Sequence, residues 1–204
     1  MTAKKKERRA PKSPARALRG WYIAVTTVLA VLILANMAVI FGFSSANREE
    51  SGELSEGLTR KVVGLLYRDF EEMPAEEQQR IMGKAHKFIR KAAHFSEFAL
   101  LGFLSACLLL YISSAFRKLK LWLTLTAPAV FTLLYAISDE VHQIFSGRGP
   151  RVTDVLIDFS GAVCGILLVH GIAYLITRRK KGSKSAAKKK RRRRNTPCEI
   201  PATD

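Results

Sequence analysis

Apolar and charged residues alternate in long blocks along this chain. Four runs of mostly apolar residues, about 21–43, 95–114, 121–137 and 155–176, are separated by charged stretches. A hydrocarbon core about 30 Å thick takes about 20 helical residues to cross. In lipid each backbone polar group must be paired within its own segment, so each run predicts a transmembrane helix. The first run holds no charged residue, and the second has Glu97 near its start. The third is short, with Pro128 in its middle, which predicts a kink or a tilt. The fourth has Asp158 one turn inside. The predicted fold class is all-α, an integral four-helix membrane bundle. Read as a cleavable signal, the first run has a basic leader and Ser44-Ser45-Ala46 as a small-residue site. Its apolar stretch, however, exceeds the roughly 7–15 residues of a signal core.

The connection between the first two runs has its own pattern. Leu54, Leu58, Val62, Leu65, Leu66 and Phe70 recur at helical spacing. Pro74 with Glu76 and Glu77 marks a second helix start. Beyond it Ile81, Ala85, Phe88, Ile89 and Ala92 share one face, and Lys84, Lys87, Arg90 and Lys91 the other. This predicts an amphipathic segment. Its apolar face is read as lying among headgroups before turning into the second span, with a solvated helix packed on the bundle as the other reading.

Charge then fixes an orientation. The chain has 204 residues and a formal net charge of +17. The segment before the first run, the 117–120 turn and the segment after the fourth run hold 23 of the 34 Lys and Arg residues but only three acids. With four spans these three segments share one side. The other side holds 11 basic and 14 acidic residues. The positive-inside rule therefore predicts cytoplasmic termini and outward-facing 44–94 and 138–154 connections. Three parts result: a basic N-terminal tail 1–20, a membrane domain 21–177, and a basic disordered C-terminal tail 178–204. The tails are expected to sit on anionic lipid. No folded reader or aromatic platform accompanies the charge, so no specific nucleic-acid partner is expected. Cys107, Cys164 and Cys198 have neither metal spacing nor a disulfide pattern.

The remaining polar residues gather at three span ends on the predicted outer side. His94 and Glu97 are spaced i, i+3, as are Asp139 and His142 if the third helix continues. Glu140 and Gln143 lie between and beside them, Arg148 and Arg151 follow in the turn, and Asp154 and Asp158 open the fourth span. Ionisable groups near lipid are costly and face one another across a bundle. One reading is a salt-bridged cap; the other is a binding or catalytic site at headgroup level. Arg forks suit carboxylate or phosphate. His94, Glu97, Asp139 and His142 have ligand chemistry, but no metal signature such as HExxH is present, so neither metal nor cofactor is expected. The same groups suit general acid–base work. Ser96, Ser138 and Ser160 are read as capping or packing, and His86 and His170 as outside the site. Gly161 and Gly165 form a GxxxG pair, read as a contact within the chain. The oligomeric state does not follow from the sequence.

The stretches KFIRKAAHFSEFALLGFL and AISDEVHQIFSGRGPRVTDVLIDFSGAVCGILL resemble the VanZ-like family, as does the upstream FSSANREESGELSEGLT. The resemblance covers residues 20–177. HFxEF, SDExHQ, the GR turn and DVxxDxxGxxxG stand in family order and spacing. They match here Arg90, Lys91, His94, Glu97, Ser138, Asp139, Glu140, His142, Gln143, Arg148, Asp154, Asp158 and Gly161. Members often carry Asn where this chain has Asp158, which weakens any role resting on an amide. The resemblance implies a bacterial cell-envelope membrane protein, from a family named for resistance to the glycopeptide antibiotic teicoplanin. The expected function is recognition of an anionic or amphiphilic envelope component by an outward polar pocket. A membrane-embedded hydrolase or transferase and a ligand-free scaffold are the rivals.

Overall fold

The computed structural model describes residues 14–45, 50–115, 119–145 and 151–194, with side chains over 20–44, 57, 59–114, 119–143 and 151–182. The described residues form five α-helices: α1 (Pro14–Ser45), α2 (Glu50–Leu66), α3 (Ala75–Ala115), α4 (Leu121–Phe145) and α5 (Val152–Arg194), plus a 3-10 turn at Phe70–Glu72. Four of them contain stretches long and apolar enough to cross a membrane: Gly20–Ser44, Ala75–Ser114, Leu121–Gln143 and Val152–Gly182. Large apolar side chains such as Trp21, Leu34, Trp122, Leu134 and Leu168 are exposed on the bundle exterior. An apolar exterior around a polar interior suits a multi-pass membrane protein.

α3 is the spine. It packs most extensively on α5, then on α1, α4 and α2. Its contact with α5 is set by three glycines. A Cβ on Gly102 would collide with the Ala162 carbonyl oxygen, one on Gly161 with that of Phe95, and one on Gly165 with that of Ala99. Backbone therefore lies against backbone at three points over about two turns of α3, which only glycine permits. The GxxxG pair thus acts within the chain, as expected. Around this seam Ile33, Ile40, Phe98, Leu101, Ala136 and Ala162 form one buried cluster, and Ala106, Ile166 and Val169 another.

Interhelical hydrogen bonds tie the other helices to the spine. The Asn36 amide of α1 donates to the Glu97 carbonyl at 3.2 Å, and the Tyr135 hydroxyl of α4 donates to the Met37 carbonyl at 2.7 Å. In α5, His170 contacts the Ile166 carbonyl through Nδ1 and Thr124 of α4 through Nε2, at 2.9 and 3.1 Å. This bridge supports reading His170 as structural.

The structure corrects one expectation and extends two helices beyond their apolar runs. The segment after Pro74 does not turn before the second span. α3 runs unbroken for 41 residues, about 60 Å at 1.5 Å per residue, because no Gly, Pro or turn cluster interrupts residues 84–101. α2 and the 3-10 turn fold back on this extension, burying Thr59, Val63 and Phe70 while leaving Leu65 and Leu66 exposed. Gln78 fastens the turn by donating to the Glu71 and Met73 carbonyls. α4 continues past Ile137 to Phe145 through Pro128, whose carbonyl accepts from the Thr132 hydroxyl. α5 stays helical to Arg194, beyond the fourth apolar run. Lys, Arg and Ala are good helix formers and propagate a helix already nucleated by the span.

Gly171, on the same helix as Gly165, meets nothing within 4 Å. Gly165→Ala is therefore expected to destabilise the protein by about 1–3 kcal/mol. Gly171→Ala should be neutral or stabilising by up to about 1 kcal/mol. Thermal unfolding of both variants in detergent micelles checks the contrast.

Candidate functional site

The glycine seam decides which side chains meet. Gly161 sits against Phe95, next to His94 on α3 and one turn beyond Asp158 on α5. α4 adds Asp139 because it continues as a helix past residue 137. Asp139, Glu140 and Asp158 are 3%, 8% and 4% exposed, three buried carboxylates at one end of the bundle. His94 and Glu97 are largely buried beside them, with Nδ1 and Oε2 3.9 Å apart.

Each carboxylate has a distinct setting. Glu140 accepts a hydrogen bond from the backbone N–H of Arg151, immediately before α5 begins, so it caps that helix. Asp154, in the first turn of α5, pairs with Lys91 at 3.3 Å across the seam. One oxygen of Asp139, Oδ2, accepts from the Gln143 side-chain amide at 3.0 Å. Its other oxygen, Oδ1, is buried with no hydrogen-bond partner among the described residues. Asp158 has no hydrogen bond or ion pair among the described residues. One atom each of His94, Asp139 and Asp158 lie within 4.8 Å of one another, close enough to share an ion.

A narrow cleft of about 10 Å³, room for about one water, lies beside this cluster, lined by Arg90, Lys91, His94, Gln143, Asp154, Ile157 and Asp158. Two basic side chains thus stand beside the buried acids. The larger apolar groove between α1, α3 and α4, around Ile33, Leu108 and Pro128, holds none of this chemistry.

Of the residues expected from sequence, His94, Glu97, Asp139, Gln143, Asp154 and Asp158 come together. Glu140 joins them as a cap. His142 is half-buried with its ring against Phe41 of α1, centroids 4.4 Å apart, and does not line the cleft. Arg151 contributes its backbone N–H while its side chain is exposed. Arg148 lies outside the described residues. Sequence reasoning left out Arg90 and Lys91 as pocket residues, having read them as the polar face of an interfacial helix. It also missed Asn36, the one amide in the first apolar run, whose isolation there was the available sign.

The serines near the cluster are not poised as nucleophiles. Ser96, Ser138 and Ser160 are exposed and donate to carbonyls of their own helices, at 2.7, 2.9 and 2.7 Å.

A model of the VanZ/LLP1 family matches residues 29–176, well over half of the chain. The chain belongs to the VanZ-like family. The matched region contains all four apolar stretches from mid-α1 onward and every residue of the cleft. No curated protein and no solved structure matches the chain. The VanZ-like motifs HFSEF, SDEVHQ and DVLIDFSG are the pieces of α3, α4 and α5 that meet at the cluster.

The Lys91–Asp154 pair is partly solvent-exposed, where such pairs contribute up to about 1 kcal/mol. Lys91→Glu and Asp154→Lys are each expected to lower the melting temperature. The double exchange should recover most of the loss, and a double-mutant cycle by thermal unfolding checks the pairing.

Proposed function

We propose that this VanZ-like protein is a four-span bacterial inner-membrane protein, termini in the cytoplasm, whose cleft binds an anionic amphiphile of the cell envelope. The charge asymmetry of the connecting segments supports the orientation. It puts the His94–Asp139–Asp158 end of the bundle outward, at headgroup level. The observation that carries the reading is the lining of the cleft, where Arg90 and Lys91 stand beside His94, Asp154 and Asp158. Basic forks and ammonium groups there suit phosphate or carboxylate, with charge-assisted hydrogen bonds of about 1.5–3 kcal/mol each. The acids suit an amine on the same headgroup. A lipid headgroup, a wall precursor or a lipoglycopeptide has this chemistry, which connects the reading to teicoplanin susceptibility.

A hydrolase or transferase reading is supported by the His94–Glu97 pair beside Asp139. The serines bonded to their own helices leave that reading with water as its nucleophile. Binding therefore accounts for more of the geometry.

Native mass spectrometry of the protein in micelles, with phosphatidylglycerol against phosphatidylcholine, tests the reading. Retention of the anionic lipid is expected, reduced about tenfold by the Arg90→Ala, Lys91→Ala double variant. Equal retention of both lipids, or no effect of the variant, contradicts it. In a deletion strain, wild type but not that variant at equal abundance should restore the parental teicoplanin response.

A further inference from the structure

We propose that His94, Asp139 and Asp158 form a binding site for a divalent transition-metal ion. The idea goes beyond headgroup recognition and does not rest on it, since the ion would bind with no lipid present.

Three observations converge. The first is geometry: one ligand atom from each residue lies within 4.8 Å of the others, on three different helices. Ligands of a tetrahedral ion with bonds of about 2.1 Å stand about 3.4 Å apart. Closure around an ion therefore needs side-chain shifts of about an ångström. The second is an unsatisfied group. Asp139 is 97% buried by its 3% exposure, and its Oδ1 has no hydrogen-bond partner among the described residues. A buried carboxylate oxygen left bare is costly unless something positive reaches it. The third is charge. Asp139 and Asp158 are both buried, and Lys91, which lines the cleft beside Asp158, is already paired with Asp154. A divalent ion matches two carboxylates and a neutral imidazole.

The surroundings fit the role. Gln143 donates to Oδ2 of Asp139, which fixes the carboxylate and leaves Oδ1 for the ion. The Glu97 carboxylate lies 3.9 Å from Nδ1 of His94, beyond hydrogen-bond distance. One nitrogen and two oxygens favour Mn2+, Fe2+ or Zn2+ over the all-oxygen preference of Ca2+ and Mg2+. Three protein ligands would leave further coordination positions for water, and two of the three, His94 and Asp158, line the cleft. Chain order hid this site. The ligands lie 45 and 19 residues apart, far from any HExxH-type spacing, and only the glycine seam brings the third one in.

The test uses the full chain, purified in detergent micelles, stripped with EDTA and titrated with Mn2+ under electron paramagnetic resonance. One bound Mn2+ per chain is expected, with a nitrogen coupling in the pulsed spectrum. Asp139→Asn and Asp158→Asn should each weaken binding tenfold or more. Exposed Glu77→Gln should leave it unchanged. His94→Gln should remove the nitrogen coupling. Thermal unfolding in EDTA separates loss of the site from loss of the fold: Asp139→Asn should melt at or above wild type there, while Mn2+ raises the midpoint of wild type only. No stoichiometric binding by wild type overturns the proposal, as does binding that survives the Asp139→Asn, Asp158→Asn double variant. Because no lipid is present, these results stand independently of the lipid-retention experiment.

Discussion

The close approach of α3 and α5 organises the rest of the molecule. Helices in lipid gain no hydrophobic energy from meeting, so they associate through packing and through hydrogen bonds. Here Gly102, Gly161 and Gly165 remove the side chains that would hold the two backbones apart. At the polar end the same approach brings the charged part of α3, from Arg90 to Glu97, against the start of α5, from Asp154 to Asp158. The structural seam and the candidate site are therefore one feature. α4 completes the site from the side, and α1 closes it through Asn36 and the Phe41–His142 contact.

This arrangement carries an energetic cost. Three carboxylates are buried where hydrocarbon packing alone would be cheaper. One of them, Glu140, is compensated locally by capping α5. Asp139 and Asp158 are not compensated to the same degree among the described residues. Stability set aside in this way is common at functional sites. A scaffold serving only to join helices would gain from apolar residues at both positions.

Much of this was legible in the chain. The four spans follow from apolar length, and the convergence of HFSEF, SDEVHQ and DVLIDFSG follows from topology once four crossings are accepted. The GxxxG pair announced a close contact, and its partner helix is now seen to be α3. What stayed hidden depends on lateral geometry. Hydropathy places a residue in depth but not around the helix axis. For this reason His142, at the same depth as Asp139, was included although its ring turns toward Phe41. Periodicity assigns Arg90 and Lys91 to the polar face of an amphipathic segment, whereas the unbroken α3 puts them on the cleft. The grouping of Asp158 with His94 and Asp139 needed the register of α3 on α5, which three glycines determine and periodicity does not.

The central claim is that the seam makes His94 of α3 and Asp158 of α5 direct neighbours. A double-mutant cycle on thermal stability in metal-free micelles, with His94→Ala and Asp158→Asn, measures this most directly. The account predicts a coupling of about 1 kcal/mol between the two positions. Additivity to within about 0.3 kcal/mol would mean that the two side chains do not meet, and would contradict it.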